Sequence, residues 1–317
     1  EMCIRDRANI PFKTLTQDRE AFLLGAEEEL KKTVIGQDHA IELAVSALQS
    51  EELGLNNLDF DDTPTASFLF VGLSGIGKTS LGKALGNLFF GEDSSLLISG
   101  KEYQTPERLN TLVGSSPAFI GPDKTPFLTK KLKENPKRVL IFDEIDKSPG
   151  LIDFLIRLCE EGGFTDMTNA KFIDCINALI VMTSNSGAEE LEAALQSRGT
   201  SFDSQNPDEI LKIITPALHK MFEAPFIGRS TVVPFLPVEN EEVLRSIVLS
   251  HLEKRRVSLK NHRLRLTVNW NDSLVSHLIS LGQGPTGIRP IAKFIKHNII
   301  NRLAHPILKK TIRQGAT

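Results

Sequence analysis

The chain has 317 residues, with 37 Lys+Arg against 40 Asp+Glu for a formal net charge of −3, and 40% of it is hydrophobic. That balance excludes a disordered or low-complexity polymer. The near-neutral charge leaves no electrostatic footprint for general nucleic-acid binding, and no apolar run approaches the ~20 residues that span a bilayer. Cys3, Cys159 and Cys175 form no CxxC pair and the 7 histidines show no HExxH spacing, so neither a disulfide scaffold nor a metal site is legible. The expected setting is soluble, reducing and cytoplasmic, and the length suggests two domains.

In chain order, Met2-Cys3-Ile4-Arg5-Asp6-Arg7 reads as translated sequencing adapter more than as protein. Residues 1–7 are therefore set aside from the fold, and the natural protein is expected to continue upstream. Residues 16–33 place Phe22, Leu23, Ala26 and Leu30 at helical spacing among charges. Asp38 can cap a second helix that carries Ile41, Ala44, Val45 and Leu48 on one face. After a polar connection, Phe68-Leu69-Phe70-Val71 is a short apolar run of the kind that forms a buried parallel strand. Further runs at Leu96–Ile98, Val139–Phe142 and Ala178–Met182 alternate with helical stretches, which predicts an α/β doubly wound parallel sheet. Beyond Pro237, Val243, Leu244, Ile247, Val248 and Leu252 share one helix face, and helical stretches follow near 271–281 and 287–304. The expected organisation is a core over 8–237, with N-terminal helices within 16–52, and a smaller helical domain over 238–317.

Residues 72–79 read Gly-Leu-Ser-Gly-Ile-Gly-Lys-Thr, directly after a predicted strand and opening a helix at Ser80. Gly72, Gly75 and Gly77 let the backbone wrap around phosphate oxygens, with the intervening Ser74 and Ile76 contributing N–H groups. Lys78 supplies a charge for the β/γ oxygens, Thr79 a hydroxyl for Mg²⁺, and the new helix points its N-terminus at the anion. Chance alone places this pattern in roughly 1% of chains of this length, so its strand–loop–helix context makes a phosphate site the better reading.

The run Val139-Leu140-Ile141-Phe142 ends in Asp143 and Glu144. A strand end delivers both carboxylates to the sheet edge where such folds bind ligands. Asp143 is suited to Mg²⁺, and Glu144 to taking a proton from an attacking water.

With Thr183-Ser184-Asn185 after the next strand, these elements resemble an AAA+ ATPase. Val34-Ile35-Gly36-Gln37, Gly114-Ser115-Ser116-Pro117-Ala118-Phe119-Ile120-Gly121 and Gly287-Ile288-Arg289-Pro290 narrow the resemblance to the C-terminal AAA+ module of the Clp family, ClpB or ClpV type, with its small lid domain. The likeness runs from about Ile10 to Ile312. It implies ATP and Mg²⁺ as cofactors, Val34 and Ile35 at the adenine pocket, and Asn185 as a sensor that orients the lytic water. It implies Arg229 as a finger reaching the next subunit's γ-phosphate, and Arg289 as a second sensor on the lid. Phe119 falls on a pore loop that grips polypeptide, although Phe and Ala118 stand where Tyr and Gly are usual and the following loop is short. Simpler roles remain open for each: a helix cap for Asn185, surface ion pairs for the arginines, core packing for Val34, Ile35 and Phe119.

The implied function is a hexameric, ATP-driven protein unfoldase or disaggregase that threads polypeptide through its pore. A sheath-disassembling secretion ATPase is the alternative, since Gly228-Arg229 resembles that member whereas Arg289-Pro290 resembles the disaggregase. A nucleic-acid remodeller would find support only in Lys254, Arg255, Arg256, Lys260, Arg263 and Arg265, a cluster that also suits a solvated surface. A peptidase-regulating role is disfavoured because the Ile-Gly-Phe/Leu docking tripeptide is missing from this sequence. No membrane or nucleic-acid partner is expected.

Overall fold

The computed structural model describes residues 19–53, 66–115, 125–197, 203, 205–261, 265–282, 288–309 and 311–312. It divides into two compact units, one comprising Glu1–Gly72 with Gly77–Phe235 and the other Leu73–Ile76 with Leu236–Thr317.

The first unit opens with two helices, α1 (Arg19–Thr33) and α2 (Asp38–Glu52). Asp38 is the first helical residue of α2 rather than its cap. The carbonyl of Gln37, a buried residue, accepts the first intrahelical bond from Ile41 N at 3.0 Å, so the chain enters the helix one residue earlier than expected. The sheet follows, with β1 (Ala66–Val71), β2 (Ser95–Ser99), β3 (Val139–Asp143), β6 (Leu179–Ser184) and β7 (Thr231–Pro234), while β4 (Gly163–Asp166) and β5 (Lys171–Asp174) form a separate antiparallel hairpin. The five main strands are parallel in the order β2-β3-β6-β1-β7. Phe68, Leu69, Phe70, Val71, Val139, Leu140, Ile141 and Phe142 are all fully buried, as expected of parallel strands covered on both faces. Neither β7 nor the hairpin was predicted from the sequence. Pro234, which cannot donate to a ladder, is tolerated because β7 is an edge strand that, among the described residues, pairs with β1 alone.

Between the strands run α3 (Lys78–Phe90), α4 (Pro106–Val113), α5 (Phe127–Glu134), α6 (Pro149–Glu161), α7 (Ala188–Ser197), α8 (Pro207–Met221) and the short α9 (Ala224–Gly228). Helix α3 is seated directly on β3 and β6. A Cβ on Gly82 would lie 3.2 Å from both Ile141 Cδ1 and Val181 Cγ1, so glycine sets how close the helix can come. Ser148 Oγ caps α6 by accepting from Leu151 N. Cys159 and Cys175 are buried, and burial pushes both thiols up to about 12, so neither is a nucleophile at neutral pH.

The second unit contains α10 (Glu241–Asn261), α11 (Asp272–Gly282), α12 (Arg289–Phe294), a π turn (Ile295–Ile300) and α13 (Asn301–Leu308). The stretch expected as one helix over 287–304 is thus interrupted by wider hydrogen bonding. Leu244, Val248, Leu252, Val275, Leu278, Ile279, Ile291 and Ile295 form its core. A unit this small has little apolar burial to spare. Replacing the fully buried Leu278 by Ala is expected to lower its unfolding free energy by about 2–5 kcal/mol, read by denaturant titration. Among the described residues no helix is long and apolar enough to cross a membrane.

Candidate functional site

Strand register assembles the site. Val71 pairs with Ser184 and Phe142 with Met182, so the chain leaves β1, β6 and β3 along one edge of the sheet. At that edge lie the glycine loop after β1, Asn185 after β6, and Asp143 at the end of β3 with Glu144 next to it. Strand β6, inserted between β1 and β3, is what brings its Thr183 and the adjoining Asn185 between the loop and the carboxylates.

Within the loop, Gly72, Gly75 and Gly77 have φ of 133°, 79° and 109°, values that side-chain-bearing residues avoid. The resulting turn starts α3 at Lys78, whose first N–H groups lack helical acceptors and open towards this edge. Lys78 is 7% exposed; its Nζ donates to Gly72 O at 2.5 Å and to Asn185 Oδ1 at 2.8 Å. A buried ammonium needs such oxygens, and phosphate oxygens are stronger acceptors of the same geometry. Thr79 Oγ1 donates to Asp143 Oδ1 at 2.7 Å, and Thr183 Oγ1 donates to the same oxygen at 2.7 Å. Asn185 N in turn donates to Asp146 Oδ1 at 3.2 Å, and Asp146 pairs with Lys147 at 2.9 Å. The bond to Asp146 holds the Lys147 ammonium above its ordinary range.

Glu144 occupies the left-handed region with φ 55° and ψ 53°. For a non-glycine residue that conformation costs roughly 1–2 kcal/mol, and such strain concentrates at functional sites. Its surroundings maintain it. Glu144 N donates to Thr183 Oγ1 at 2.9 Å, and its carboxylate pairs with Lys101 Nζ at 2.5 Å. The turn Gly100–Glu102 presses so closely on the Glu144 backbone that a Cβ on Gly100 would lie 2.4 Å from Glu144 O. Thr183, Asp146, Gly100 and Lys101 were not singled out in the sequence as site residues. Thr183 stood inside the Thr-Ser-Asn triplet, the one local signal for any of them.

Val34 is buried, and its Cγ1 lies 3.8 Å from the position of a Cβ on Gly77, which places the α1–α2 junction beside the start of α3. Ile35 and Ser74 are half-buried, Ile76 is buried, and Ser80 is exposed on the first turn of α3. Hard oxygen donors from Thr79 and Asp143 suit a magnesium ion, and the glycine turn with Lys78 suits a polyphosphate, so the residues present fit both groups.

Arg229 stands apart from this cluster. Arg229 closes α9, its carbonyl accepts from Ser67 Oγ at 2.7 Å, and its Nη1 donates to Glu160 Oε1 at 2.8 Å. Ser67 lies at the far end of β1 from the loop; five residue steps of extended chain, about 16 Å, separate it from Gly72. The surface ion pair left open for Arg229 is therefore present. Arg289 opens α12 in the second unit. Phe119 lies outside the described residues. Lys254, Arg255, Arg256 and Lys260 are exposed on α10, with Arg256 paired to Glu253 at 2.9 Å.

The sequence matches the family described as AAA domain (Cdc48 subfamily) over residues 63–233 and the C-terminal, D2-small domain of ClpB protein over residues 240–317. Chaperone protein ClpB of Chlamydia muridarum is 31% identical over 310 residues, which are 96% of this chain and 35% of that protein. A probable ATP-dependent Clp protease ATP-binding subunit of Chlamydia pneumoniae is 31% identical over 98% of this chain and 36% of its own length. Among solved structures, the closed state of Hsp104 with ATPγS and FITC casein superposes with a TM-score of 0.80 at 29% identity, over 96% of this chain and 51% of that one. The chain thus spans about a third of the length of the curated relatives it matches.

Proposed function

This chain belongs to the AAA domain family, as an ATPase module of the Clp type with its small C-terminal domain, and on that premise we propose that it powers a ClpB-like chaperone. In this reading a homo-hexameric ring hydrolyses ATP and threads polypeptide through its pore. The core spans 8–237 and the lid 238–317. The observation that carries the proposal is the convergence of Lys78, Thr79, Asp143, Glu144 and Asn185 on one sheet edge beside the glycine turn, where side-chain bonds pair Lys78 with Asn185 and Thr79 with Asp143, and Thr183 links Asp143 to the Glu144 backbone.

Each residue then has a task that its position supports. Lys78 and the loop N–H groups of Gly72 to Ser80 bind the β- and γ-phosphates, while Val34 and Ile35 flank the adenine. Thr79 and Asp143 hold a magnesium ion, which supplies charge neutralisation at the phosphates. Glu144 takes the proton of the attacking water, for which its carboxylate has to turn away from Lys101, and Asn185 helps to orient that water. Arg229 cannot serve its own site from the far end of β1. It acts on the nucleotide of a neighbouring protomer, making hydrolysis depend on assembly. Arg289 reports nucleotide state from the lid. The relatives that carry the chaperone name favour disaggregation over sheath disassembly.

The test is unfolding of a tagged fluorescent protein by the assembled chain with ATP. Phe119→Ala is expected to stop unfolding while ATP hydrolysis continues. Equal unfolding by the variant and the wild type would remove the threading mechanism.

A further inference from the structure

We infer that Glu160 is a positioning residue for Arg229, holding its guanidinium ready for the nucleotide of the next protomer; this rests on the reading of Arg229 given above. The arginine is anchored at two points within its own protomer. Ser67 Oγ fixes its carbonyl at 2.7 Å, and Glu160 Oε1 fixes its Nη1 at 2.8 Å.

Both anchors belong to elements that adjoin segments of the protomer's own site. Ser67 is in β1, whose other end becomes the phosphate loop. Glu160 is in the last turn of α6, a helix that begins at Pro149 shortly after Glu144.

The geometry suits positioning rather than sequestration. The contact uses one N–H of a planar fork with five, so the group can still engage a second acceptor such as a phosphate oxygen. An arginine side chain 44% exposed would otherwise sample many rotamers, and holding it beforehand removes that entropy loss from the catalytic encounter. Exposure of both partners also means the pair contributes little to folding. Its loss should appear in turnover and not in melting.

The experiment measures steady-state ATP turnover and thermal unfolding of Glu160→Ala, Glu160→Gln, Arg229→Ala and the Glu160→Ala/Arg229→Ala double variant, with assembly matched by sizing. Glu160→Ala is expected to lower kcat about tenfold with little change in KM and an unchanged Tm. Glu160→Gln, which keeps an acceptor oxygen in the same place, should retain most of the rate. In the Arg229→Ala background the Glu160 substitution should cost nothing further. Wild-type or faster turnover in Glu160→Ala would overturn the inference, as would the same fractional loss in both backgrounds. Wild-type turnover in Arg229→Ala would instead bring down the reading of Arg229 itself, and with it this one.

Discussion

Lys78→Ala is expected to weaken ATP binding by at least about a hundredfold. Its ammonium sits in a largely dry position between Gly72 O and Asn185 Oδ1, so phosphate oxygens arriving there meet a charge with little competing water. Hydrogen bonds to charged groups contribute about 1.5–3 kcal/mol each, and two of them account for a loss of this order or more. The fold should survive, because the substitution removes a buried charge rather than stranding one. Two measurements check the prediction. Titration with a fluorescent ATP analogue gives the affinity directly. Thermal shift gives it by linkage: ligand at a hundred times Kd stabilises the wild type by about 2.7 kcal/mol, whereas a hundredfold weaker site gains about 0.4 kcal/mol at the same concentration. Affinity within tenfold of wild type would mean that the glycine loop is not a phosphate site.

Glu144→Gln separates binding from chemistry. Gln has the same length, meets the same left-handed backbone at the same cost, and can still accept from Lys101 through its amide oxygen. Nucleotide affinity should therefore stay within about threefold of wild type. Removal of a positioned general base costs about 10²–10⁴ in rate, and single-turnover hydrolysis in the assembled protein should fall by that factor. On the proposed function, an ATP-bound assembly should accumulate, visible by sizing. Hydrolysis within tenfold of wild type would assign the base to another group.

The positions of these two residues, at a helix start and just past a strand end, were legible in the sequence because their signals are local. A glycine-spaced loop ending in Lys-Thr dictates its own backbone, and four apolar residues before Asp143 dictate a buried strand with a carboxylate at its end. The same holds for the apolar face of α10, where Leu244, Ile247, Val248 and Leu252 are buried, although Val243 proved only half-buried. Strand β7 was missed for the opposite reason. Thr-Val-Val-Pro is too short to declare itself, and it becomes a strand only through its pairing with β1. Hairpin β4–β5 likewise depends on partners, and the break of the last helical stretch at Ile295–Ile300 carries no residue that announces it.

The groups that the proposed site would use were thus all present in the sequence: a glycine turn, an ammonium, a hydroxyl, two carboxylates and an amide. Which group holds which was decided by tertiary structure alone. Lys78 meets Asn185 across 107 residues because β6 enters the sheet beside β1, and Thr79 meets Asp143 across 64 because α3 is seated on β3. Lys101 on Glu144 and Glu160 on Arg229 arise in the same way, from surfaces brought together after the chain has folded. Local backbone preference is written in neighbouring residues. Pairing between distant charges is not, since an exposed lysine or glutamate looks the same in sequence whether it faces solvent or a site residue.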